Sequence, residues 1–128
     1  MALPTPWKTF ASPKDDREYL ALLSFLPLKR YRTIPKLARF AIETMRQLAT
    51  SHGLIGYSLI AELTRKRFWT VSVWEDRQSL MDFVEQIPHS RIMQDLAPHM
   101  DKTAFVEWTV RAPEIPIPWP VARQRLLK

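Results

Sequence analysis

Residues 68–75 read FWTVSVWE, an alternation of aromatic and β-branched residues that suits a half-buried strand and little else. The alternation sets two faces. Phe68, Thr70, Ser72 and Trp74 share one, and Trp69, Val71 and Val73 share the other. A second strand-like run, residues 54–63, precedes it by only the short basic link 64–67. So short a link allows an antiparallel hairpin and excludes a crossover connection. A chain committed to this hairpin must then bury both of its faces.

The rest of the pattern supplies partners. Residues 18–28, EYLALLSFLPL, form an apolar run bounded by charge, as a mostly buried strand would. A helix is expected from Thr33 as N-cap, with Pro35 tolerated in its first turn. Ile34, Leu37, Phe40, Ala41, Met45 and Leu48 make its apolar stripe, with Lys36, Arg39, Glu43, Arg46 and Gln47 on the other side. Gly53 sits where a left-handed helix stop belongs. Asp76 can cap a second helix with the stripe Leu80, Phe83, Val84 and Ile87, interrupted by Pro88. Ser90 can cap a third, stopped by Pro98. Residues 101–111 read as a last strand, with Ala104, Val106, Trp108 and Val110 on one side.

The order β-α-β-β-α-β predicts an α+β, ferredoxin-like domain over residues 18–112, with a four-stranded antiparallel sheet. Residues 1–17 form an extended lead-in pinned by Trp7 and Phe10. Helices on one face leave the other face needing cover, and a second copy is the simplest cover. Residues 113–128 begin PEIPIPWP, too rich in proline for a helix, and are expected as a stiff extended arm. Ile115, Ile117 and Trp119 require that arm to lie against a partner copy, a pocket mouth or its own subunit.

Composition removes whole classes of function. The 128 residues include no cysteine, which excludes disulfides, thiolate nucleophiles and cysteine-held metals. Two glycines cannot build a phosphate-cradling loop. No apolar run approaches the ~20 residues of a membrane helix, and no signal peptide opens the chain, so the cytoplasm is the default location. The net charge of +6 comes in short clusters at expected turns, the mark of solvated loops. Nucleic-acid binding is the weaker reading, because the basic-Gly-aromatic RNA-recognition signature is missing.

The run FWTVSVWEDRQSLMDFVEQIPHSRIMQDL, residues 68–96, resembles the antibiotic-biosynthesis-monooxygenase-like proteins. These are a superfamily of dimeric α+β barrels, and the likeness is greatest to their uncharacterised and spheroidene-monooxygenase-like branch. The resemblance implies a homodimer with a pocket between sheet and helices for an apolar or aromatic ligand. It also implies monooxygenase-like chemistry, either haem-dependent or cofactor-free. Trp74 matches the family's tryptophan, but the asparagine has no counterpart, since the sequence contains no Asn. The histidine position of the haem-degrading members falls near Met93, and His89 lies one helical turn earlier.

The candidate catalytic residues are therefore His89 and Trp74, with His89 as iron ligand if haem binds. The candidate ligand-binding residues are Tyr57, Trp69, Ser72, Phe83, Arg91 and Met93. Tyr31 offers a further hydroxyl and Arg39 a further guanidinium for an acidic ligand. His52 and His99 read as loop residues, and the histidine spacings build no zinc site. Glu62 and Glu107, within strands, would serve as bases only if buried. With no assembled catalytic group, a non-enzymatic ligand-binding or interaction module of the same fold is the alternative.

Overall fold

Residues 54–62 and 67–74 pair as the hairpin their spacing demands, and the remaining elements add to its two edges. The computed structural model describes residues 2–4, 7–12, 17–62, 65–85, 94, 97–115 and 117–126. In chain order the elements are β1 (Ala2–Pro4), β2 (Lys8–Thr9), β3 (Glu18–Pro27), α1 (Ile34–Ala49), β4 (Leu54–Glu62), β5 (Arg67–Trp74), α2 (Arg77–Glu85), β6 (Ala104–Arg111) and α3 (Trp119–Leu126). The sheet runs β1-β4-β5-β3-β6, with β2 also on β4 and every pairing antiparallel. Its four long strands, β4-β5-β3-β6, have the ferredoxin-like order. No helix among the described residues is long and apolar enough to cross a membrane.

Local chemistry explains the joints. Thr33 occupies the N-cap of α1 and Pro35 its first turn, although the threonine side chain makes no capping bond. Gly53 has φ +82°, the left-handed stop that a side chain resists. A Cβ there would also collide with the Ser79 hydroxyl. That hydroxyl and the Ser79 N–H, 2.8 Å from the carboxylate, both donate to Asp76 and hold its pKa below the ordinary range. Arg17 and His52 add to that depression. The Asp76 cap thus ties α2 to the turn between α1 and β4. A depressed carboxylate stabilises the fold above its unfolded pKa, and that help is lost as pH falls through the folded value. Asp76→Ala is therefore expected to cost about 1 kcal/mol at pH 7. Urea midpoints of protein and variant should converge below pH ~4; a gap independent of pH would refute the role.

Two stretches of the expected extended lead-in join the sheet as strands. β1 and β2 lie end to end on the outer edge of β4, pairing Leu3 with Ala61 and Lys8 with Tyr57. Gly56 makes room for this, since a Cβ at that position would collide with the Trp7 indole. The helix stripes need amendment too. Gln47, expected on the solvent side of α1, is buried and donates to the Phe83 carbonyl at 3.0 Å, fastening α1 to α2. Val84 is 37 % exposed; Ile87 falls outside the described residues, as does the expected third helix apart from Gln94 and its end, where Ala97–His99 form a short 3-10 turn.

The largest departure lies on the second face of the sheet. Tyr19, Ala21, Leu23, Trp69, Val71, Val73 and Val110 are all buried within the single chain. Their cover is the chain's own C-terminal segment. Ile117 and Ala122 are buried against this face, with Ile115 and Trp119 packed beside them. Residues 119–126 are helical rather than extended. Pro120 falls in the first turn of α3, where a missing N–H costs nothing, so the prolines deliver the chain to a helix instead of forbidding one. The Arg123 guanidinium stacks 4.9 Å from the Trp69 ring and that of Arg125 lies 5.4 Å from Trp108. Burial of the second face therefore needs no second copy.

Candidate functional site: a hollow between sheet and helices

The first face of the sheet does not close against α1 and α2. Between them lies a cavity of about 490 Å³, within the usual range for small-molecule sites. The parity of β5 points Phe68, Thr70, Ser72 and Trp74 into it. β4 contributes Tyr57 and Leu59, and β3 contributes Leu22, Ser24 and Leu26. The roof is the stripe of α1, from Phe40 to Leu48, together with Leu80 and Phe83 of α2. Met81, Val84, Phe105 and Glu107 also line it, and Phe105 is 54 % exposed there.

Trp74 is fully buried, with its ring 5.2 Å from that of Phe83. Its indole N–H donates to Ser72 Oγ at 2.9 Å, so the floor is held by one polar contact as well as by packing. Thr44 Oγ1 is buried without a partner among the described residues. Burial pushes the Tyr57 phenol above its ordinary pKa. It therefore stays protonated at neutral pH, a hydrogen-bond donor rather than a base. Glu107, among the lining residues, pairs with Arg77 at 2.7 Å. Apolar walls with a few hydroxyls and no free charge suit the uncharged part of a molecule and would orient it weakly.

Of the candidates named from sequence, Tyr57, Ser72, Trp74 and Phe83 meet in this hollow. Trp69 does not. It lies on the opposite face, donating to the Glu62 carboxylate and packed 4.3 Å from Phe25. Strand parity forbids both tryptophans from facing one cavity. His89, Arg91 and Met93 lie outside the described residues. Arg39 is exposed and pairs with Glu43, and Tyr31 sits exposed under the Lys66 ammonium. Glu62 faces Arg67, Arg123 and Trp69 on the far side of the sheet, away from the hollow. His52 and His99 are both exposed. The described residues include no cluster of His, Cys, Asp and Glu that could hold a metal. Sequence reasoning missed Thr44 and Ser24. Thr44 could have been found, since it falls three residues after Ala41 and four before Leu48, on the stripe itself.

This is the fold of the antibiotic biosynthesis monooxygenases and of dimeric ferredoxin-like proteins. A solved antibiotic biosynthesis monooxygenase superimposes with a TM-score of 0.63 at 15% identity, covering 70% of this chain and 95% of its own. A variant of SnoaB, a cofactor-independent oxygenase from Streptomyces nogalater, gives 0.60 at 13% identity, covering 73% and 93%. A dimeric ferredoxin-like protein of unknown function from Thermobifida fusca gives 0.62 at 12%, covering 76% and 95%. No family model and no curated protein matches the sequence.

Proposed function

We propose that this protein binds an apolar ligand, with an aromatic or isoprenoid-like body, in the hollow over Trp74. The observation that carries this reading is an apolar cavity of about 490 Å³ in a protein of only 128 residues. Interiors are otherwise packed to near-crystalline density, so a void of that size is costly unless something fills it. Pairing into a homodimer draws support from the Thermobifida fusca neighbour. In this chain such a pair would have to meet beside the C-terminal segment or displace it.

Oxygenase chemistry is the second reading, favoured by the fold shared with SnoaB. Cofactor-free oxidation needs a base to take a proton from the substrate. Among the described lining residues the one carboxylate, Glu107, is already paired with Arg77. Haem fits the described lining poorly, because the described lining residues include no imidazole or thiolate and their one ionised group is that carboxylate. These side chains support capture of a ligand ahead of its turnover.

The neutral fluorophore N-phenyl-1-naphthylamine tests the reading directly. It should bind saturably with a Kd of ~1 to 10 μM. Ala41→Trp, which projects an indole into the hollow from the half-buried side of α1, should weaken it about tenfold with little change in melting temperature. Absence of saturable binding, or equal binding by the variant, would remove the proposal.

A further inference from the structure

A second hollow adjoins the first. A groove of about 690 Å³ runs between β2 and α1, lined by Lys8, Thr9, Phe10, Ile42, Arg46 and Ala49. Met45 and Tyr57 wall both the groove and the main hollow. Two features set it apart from ordinary surface. Phe10 and Ile42 are 42% and 53% exposed, so its sides are apolar although they face water. Phe10 keeps its place by stacking on Tyr57, the rings 5.8 Å apart and within 12° of parallel.

The second feature is charge. Arg17, Arg39, Arg67, Arg77 and Arg123 each face a carboxylate. Lys8 and Arg46 have no acidic partner among the described residues, as is also true of Lys29, Arg30, Arg32, Lys36 and Lys102; what distinguishes the pair is that both line an apolar groove and no carboxylate does. Two unneutralised cations flanking an apolar cleft match an anion attached to an apolar body.

We propose that the ligand of the hollow is an amphipathic carboxylic acid, its apolar body over Trp74 and its carboxylate in the groove between Lys8 and Arg46. This rests on the hollow's being a ligand site and adds the class of ligand. Met45, an unbranched side chain that yields readily, stands with Tyr57 where the body would pass from one space to the other. The Tyr57 hydroxyl, without a partner among the described residues and held as a phenol by burial, can donate to the acid or to the neighbouring chain.

The experiment is competition against bound N-phenyl-1-naphthylamine at pH 8 by decanoate and by 1-decanol, which share a chain length and differ in charge. Decanoate is expected to displace the fluorophore at about one-tenth the concentration of decanol. In the double variant K8E/R46E that advantage should vanish, while decanol and the fluorophore bind as before. Raising the salt concentration should erode it in the same direction. Equal displacement by acid and alcohol in the unaltered protein, or an acid preference that survives charge reversal, would overturn the inference and leave the hollow's own reading intact. Failure of the fluorophore to bind at all would instead strike that reading.

Discussion

Ile117→Asp should destabilise the protein by about 3 to 5 kcal/mol and turn it into a self-associating one. Ile117 is 4% exposed, packed with Ala122 against the Val71 and Val73 side of the sheet. The two guanidiniums of α3 already lie over Trp69 and Trp108. A carboxylate there must either be buried uncompensated or lever residues 115–126 off the face. The second outcome caps the cost, and it uncovers a contiguous apolar surface of the kind that drives association. Urea denaturation should show the lost stability, and sedimentation should show assemblies that grow with concentration and are absent from the unaltered protein. If the variant melts and sediments like its parent, the C-terminal segment is not what covers the sheet.

That segment also shows where sequence pattern stops being informative. The alternation at 68–75 and the short link before it dictate a hairpin whatever else the chain does, and β3 and β6 follow from their own apolar runs. Local patterning says that a face must be buried, but not by which atoms. A partner copy and a returning tail satisfy the same requirement, and only the three-dimensional path of residues 112–119 decides between them. Proline density was a misleading signal there because its effect depends on position. In mid-helix it breaks hydrogen bonds, while in the first turn of α3 it breaks none. β1 and β2, three and two residues long, are too short to carry any periodicity.

The site was legible to the extent that face parity is. Ser72 and Trp74 share a side of β5, and Tyr57 and Phe83 come to the same side through register and the α2 stripe. Trp69, which the same alternation puts on the other face, lies there among Phe25 and the Glu62 carboxylate. Gln47 was misplaced for a different reason: its amide finds the Phe83 carbonyl, a partner 36 residues away that no window on α1 contains. The groove beside Lys8 was beyond reach for the same cause, since it exists only because β2 docks on β4.

Trp74 is where fold and site depend on one side chain, and its replacement tests both. Trp74→Ala removes a fully buried indole from between β5 and Phe83, and the loss should be about 3 to 5 kcal/mol. Part of that loss is apolar burial and part is the bond to Ser72, whose hydroxyl is then left without its donor. Trp74→Phe separates the two. It restores most of the ring contact but not the N–H, so its stability should lie between those of alanine and the parent, within about 2 kcal/mol of the latter. The ligand site should respond in the same order. The alanine variant, with an enlarged and less complementary floor, should hold N-phenyl-1-naphthylamine at least about tenfold more weakly, and the phenylalanine variant within a few-fold of the parent. Measured together, urea midpoints and fluorophore affinity must fall in parallel along this series. Loss of stability without loss of affinity would place the ligand away from Trp74, and loss of neither would mean that the indole does not fill the space between β5 and α2.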